Sequence, residues 1–192
     1  MIRRLIPAAL AALVLAAPAG AASVVTLHVN DEFGVKGTHI LCAVQISKTL
    51  VPGQKLVACF YATSKGPVAG SYTTALAVNG EVALAKIGTN GKAKIVTSRK
   101  PAVVTRHAAN PKLYAVGVDT VLTVKGTAIT CGVRNEKYGT KTAITVGCFK
   151  VNAQRKPRPG SYGFGFTDGG AFLVHYDSKS NAVPIKVVQH GK

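Results

Sequence analysis

The chain has 192 residues, with 24 Lys+Arg against 7 Asp+Glu and a formal net charge of +17. At 47% hydrophobic, with 6% aromatics and no Trp, it holds ample apolar material for a core, which excludes a disordered chain. The length allows one domain or two small ones, and so basic a balance favours polyanionic partners over cationic ones.

The chain opens on Met1-Ile2-Arg3-Arg4, runs apolar from Leu5 to Ala17, and reaches Ala19-Gly20-Ala21. A basic start, a short apolar run and a small-x-small site, in that order, predict a secretory signal peptide over 1–21. The run is shorter than the roughly 20 residues a spanning helix needs, so no transmembrane segment is expected in the mature chain. Cleavage after Ala21 removes two arginines and no acid, leaving 22 − 7 = +15. The expected location is secreted or periplasmic/cell envelope.

The rest of the chain repeats itself. Val35-Lys36-Gly37-Thr38-His39-Ile40-Leu41-Cys42 returns as Val124-Lys125-Gly126-Thr127-Ala128-Ile129-Thr130-Cys131, an offset of 124 − 35 = 89. Cys59-Phe60 becomes Cys148-Phe149 at the same offset, and Gly70-Ser71-Tyr72 becomes Gly160-Ser161-Tyr162 one residue later. A tandem duplication follows, with one β unit at 24–97 and a second at 113–188. Between them, 98–112 carries two prolines and little periodicity, and reads as a linker.

Short β-branched runs separated by turn signals predict an all-β fold. In the first unit the expected strands are Val24–Asn30, Thr38–Ser47, Lys55–Ala62, Ser71–Val78, Glu81–Ile87 and Lys92–Thr97, and the second unit repeats the plan. Asn79-Gly80 between apolar runs is a strong hairpin signal. Two small disulfide-stapled β-sandwich or half-barrel units in tandem are the expected architecture.

Four cysteines permit three pairings. Each unit holds its own two at a step of 17, Cys42 with Cys59 and Cys131 with Cys148, and a self-sufficient unit must close its own bond. Period two also points both members of each pair to the apolar face of their strands. A zinc site would want cysteines two to four residues apart, so no metal and no cofactor is expected.

The densest basic cluster is Arg155-Lys156-Pro157-Arg158, and Arg99, Lys100 and Arg106 add charge in the linker. These six cations are the candidate polyanion-binding residues. They are not interleaved with aromatics along strands, so no specific nucleic acid is expected. In Tyr162-Gly163-Phe164-Gly165-Phe166 the first unit has Thr or Leu where the second has Phe, which favours a packed core strand over a stacking platform. No catalytic residue stands out: Ser161, Asp168 and His175 can be assembled on paper, but the first unit has no counterpart of Asp168 or His175. There is no Gly-x-Ser-x-Gly elbow and no His-Glu-x-x-His.

The expectation is a non-enzymatic basic protein outside the cytoplasm that binds an anionic polysaccharide, envelope polymer or lipid surface. A small secreted hydrolase built on His175 and Asp168, or an inhibitor of an extracellular enzyme, is the alternative.

Overall fold

The computed structural model describes residues 23–47, 52–90, 93–98, 112–138 and 140–191. The expected signal peptide, and Arg99, Lys100 and Arg106 of the linker, lie outside the described residues. The first half holds β1 (Val24–Leu27), β2 (Glu32–Val35), β3 (Ile40–Ile46), β4 (Lys55–Thr63), β5 (Gly66–Pro67), β6 (Tyr72–Ala77), β7 (Val82–Ile87) and β8 (Ala93–Ser98). The second holds β9 (Leu113–Val116), β10 (Val121–Val124), β11 (Ile129–Tyr138), β12 (Lys141–Lys150), β13 (Tyr162–Thr167), β14 (Gly170–Tyr176) and β15 (Ala182–Gln189). All described elements are strands. The first three strands of each half start 89 residues apart, since 113 − 24, 121 − 32 and 129 − 40 agree.

The strands form two sheets, ordered β1-β10-β11-β12-β13-β14-β15 and β8-β7-β6-β4-β3-β2-β9, with β5 beside β4. Neighbours run antiparallel except at one end of each sheet. There β1 lies parallel to β10, with Val24 opposite Val121, and β9 lies parallel to β2, with Leu113 opposite Glu32. Each half thus gives its first strand to the sheet of the other. Each half is thus built around a single sheet, and the two sheets close face to face on one core.

One hydrophobic core fills the space between the sheets. Leu27, Phe33, Cys42, Val57 and Leu76 of the first half pack there with Leu122, Cys131, Val146, Phe164 and Phe166 of the second. Each such large apolar side chain contributes on the order of 1.5–3 kcal/mol when fully removed from water. Smaller clusters cover the outer faces, around Phe60 on one sheet and around Phe149, Phe172 and Tyr176 on the other. The β4 and β12 strands are therefore apolar on both sides, as the neighbouring Cys-Phe pairs in the sequence imply.

Both disulfides join directly opposed residues of adjacent strands. Cys42 faces Cys59 across β3 and β4 at a Cα separation of 4.0 Å, and Cys131 faces Cys148 across β11 and β12 at 4.1 Å. All four thiols are consumed, which leaves none for a metal. Each bond joins cysteines 17 apart, a loop length worth on the order of 3 kcal/mol in the chain-entropy model.

Two differences from the expected strands are informative. Neither β2 nor β10 was expected. Each is four residues long, and in β2 the polar Glu32 and the unfavourable Gly34 dilute the pattern. β2 forms because it has a partner on each side, β3 and β9, and buries Phe33 and Val35. The first strand also ends early, at Leu27, because the chain turns at Asn30 (φ 75°), whose N–H donates to the carbonyl of Val44 at 2.8 Å.

The aromatic-glycine strand is core, as its exchanges between units suggest. Phe164 and Phe166 are fully buried, and a Cβ on Gly165 would run into the ring of Phe172, its cross-strand partner. The first half solves the same place differently, with Ala75 opposite Ala83. Ring and glycine in one half replace two alanines in the other.

Candidate functional site

A cleft of about 1130 Å³ opens at the seam of the two halves. The second half supplies Lys150 at the end of β12, Arg158 and the Gly160-Ser161 turn, Tyr162 at the start of β13, Leu173 and His175 on β14, and Val183 and Ile185 on β15. The first half supplies the β6–β7 hairpin, from Asn79 to Val82. That hairpin is closed by the Gly80 N–H donating to Ala77 O at 2.8 Å, with Gly80 at φ 94° in the left-handed region where glycine is preferred. A Cβ on Gly80 would sit 3.4 Å from Cδ of Lys150, so the tip of one half leans on the cationic wall of the other.

Local hydrogen bonds set the basic wall. The Arg158 N–H donates to the Lys150 carbonyl at 2.8 Å, which keeps the two residues side by side. Between them the chain makes a tight turn held by Asn152, whose Oδ1 accepts from the N–H groups of Gln154 at 3.0 Å and Lys156 at 3.1 Å. Arg155 sits in this turn at φ 58°, and Arg155, Lys156 and Arg158 are all exposed. Among the described residues none of Lys150, Arg155, Lys156 and Arg158 forms a salt bridge; both bridges found are His–Asp pairs, His28 with Asp31 and His39 with Asp168. These cations are therefore not tied up in ion pairs, and they outnumber the one carboxylate, Glu81, that lines the cleft.

Inside the cleft Tyr162 and His175 are cross-strand partners whose rings stand 5.0 Å apart at a tilt of 55°. Ser161 lies next to them with its hydroxyl donating to Arg158 O at 2.6 Å. Asp168 is elsewhere. It sits in the β13–β14 turn, at the opposite end of that hairpin, and its carboxylate accepts the His39 N–H at 2.9 Å. The paper constellation of Ser161, Asp168 and His175 is therefore not assembled, and its acid serves to tie the two halves together.

That second seam contains residues the sequence did not mark. His190, just after β15, reaches across to the first half: its Nδ1 accepts the Tyr72 N–H at 3.0 Å. Nε2 must then carry the proton, which it donates to the Thr167 carbonyl at 3.1 Å. The ring lies 5.0 Å from Phe166 and 5.2 Å from Tyr61. Burial holds the His190 pKa below its ordinary value, with the Thr167 carbonyl and Asp168 opposing that shift. His190 looks unremarkable in sequence because its first-half partners, Tyr61 and Tyr72, are more than 100 residues away along the chain.

Two disulfides suit an oxidising, extracellular kind of compartment. Among the described residues no helix is long and apolar enough to cross a membrane. Comparison of the chain with protein-family models, with curated proteins and with solved structures gave no match.

Proposed function

We infer that this is a non-enzymatic protein of the cell exterior or envelope that binds an anionic polymer through the seam cleft and the basic turn beside it. The observation that carries this reading is the cationic wall: Lys150 and Arg158, locked side by side, continue into Arg155 and Lys156 with no acid paired to any of them among the described residues. Uncompensated cations along the rim of a concave surface attract polyanions and raise their local concentration. A formal charge of +15 on the chain from Ala22 onward adds long-range attraction of the same sign.

The test is retention on a heparin or phosphocellulose column across a salt gradient. The mature chain should elute well above 0.15 M salt, where the Debye length is already down to about 8 Å. Replacing Lys150, Arg155, Lys156 and Arg158 together with glutamine should move elution to distinctly lower salt. Elution of the unaltered chain at or below about 0.15 M would leave the charge without a binding role.

A further inference from the structure

The repeat provides an internal comparison. Tyr72 faces Lys86 across β6 and β7, as Tyr162 faces His175 across β13 and β14. Tyr61 stands opposite Ile40, as Lys150 stands opposite Ile129. The Val68 N–H donates to Tyr61 O at 3.0 Å, as Arg158 N–H does to Lys150 O at 2.8 Å. By register, the seam around Tyr61, Val68 and Tyr72 is therefore the counterpart of the cleft around Lys150, Arg158 and Tyr162.

In the first half this frame grips a ring. The His190 imidazole lies 5.2 Å from Tyr61 and 6.3 Å from Tyr72, and is oriented by one hydrogen bond accepted and one donated. In the second half the frame persists with a different lining. The tyrosine is kept, while Tyr61 is replaced by Lys150 and Val68 by Arg158. A wall suited to a neutral ring has become one suited to a ring bearing negative charge.

Glu81 narrows the choice. It lines the same cleft from the facing hairpin, and its Oε2 is an acceptor with no hydrogen-bond donor provided to it among the described residues. An ionised carboxylate only accepts, so a ligand that engages it must bring a donor. Polyphosphate offers essentially no donor at neutral pH, whereas a sugar offers hydroxyls. Cations and a lone acceptor in one cleft call for a ligand with acid and hydroxyl groups on the same ring.

We propose that the cleft binds uronic-acid residues of an acidic polysaccharide, a proposal that rests on the anionic-polymer reading above. The carboxylate lies against Lys150 and Arg158, the ring packs on Tyr162, and a ring hydroxyl donates to Glu81. The volume of about 1130 Å³ lies just above the roughly 300–1,000 Å³ of small-ligand sites, which leaves room for more than one sugar ring.

The experiment is calorimetric titration of the mature chain, in 0.15 M salt, with an oligogalacturonate, an uncharged oligosaccharide of equal length, and inorganic polyphosphate. The oligogalacturonate should bind and the uncharged oligosaccharide should not. Glu81→Ala should weaken the oligogalacturonate by roughly tenfold, the size of one hydrogen bond to a charged group. The same change should leave polyphosphate unaffected or tighter, because it removes a negative charge. Lys150→Ala should weaken both, and thermal unfolding of each variant checks that the fold is intact. If Glu81→Ala affects neither anion, or both alike, the uronate assignment is wrong while polyanion binding stands. If no polyanion binds at this salt, both readings fall.

Discussion

At the scale of single residues, the two halves differ most instructively where a glycine faces a ring. Gly165 is opposite Phe172, and Ala75 is opposite Ala83 at the matching place. One half fills this place with a single ring over a glycine, the other with two methyl groups. Gly165→Ala should therefore destabilise the protein by roughly 1–3 kcal/mol, because its methyl meets the Phe172 ring in a filled core. In a Phe172→Ala background, itself costly at about 3–5 kcal/mol, the same methyl should cost less, so the double variant should lose less than the sum of the two single losses. Urea unfolding of both single variants and the double variant measures the coupling, and strict additivity would refute the compensation. The sequence showed glycines in the second unit where the first has Thr73 and Ala75, but cross-strand register, which alone explains the exchange, is not written in a single strand.

At the scale of elements, β15 is fastened at its end by a histidine rather than by an apolar plug. His190 is neutral when folded, with its pKa lowered by burial from the ordinary 6.5. Above that value neither the folded nor the unfolded chain holds this proton, and stability is independent of it. As pH falls below 6.5 the unfolded chain takes up the proton first, so the folded state loses stability down to the lowered pKa. The melting temperature should accordingly drop between pH 7 and pH 5, and His190→Asn, which keeps an acceptor for the Tyr72 N–H but cannot titrate, should flatten that drop. An unchanged slope in the variant would remove His190 as its source. Elements were legible in the sequence wherever the signal was local. The Cys-Phe strands, the Asn79-Gly80 hairpin and the disulfides at a step of 17 all appear where expected. β2 and β10 were not, because four residues carry too little pattern and one of the two partners of each, β9 or β1, is remote. The cleft shares that cause: Arg158 is conspicuous in sequence, but Lys150, Tyr162 and Glu81 gain meaning only when the halves meet.

At the scale of the whole molecule, the exchanged first strands make the halves one body. A protease site placed within 99–111 should, once cut, yield two fragments that separate in denaturant without any reductant, because each disulfide closes within its own half. In native buffer the same fragments should still travel together through a gel-filtration column, held by the common core and by the pairings of β1 with β10 and β9 with β2. Separation in native buffer would contradict the shared core. The exchange also imposes an order in time. Val24 must wait for Val121, a partner 97 residues later, before β1 can be placed. At about 5–20 residues per second of synthesis, that delay is about 5–20 seconds. The first half can close its β3–β4 hairpin meanwhile, but β2 stays a bare sheet edge until Leu113 to Val116 arrives. Bare edges recruit other chains. A nascent copy of this protein is thus most exposed to mispairing with a second nascent copy, whose β9 would satisfy the same edge, and crowded synthesis should favour strand-swapped dimers over monomers.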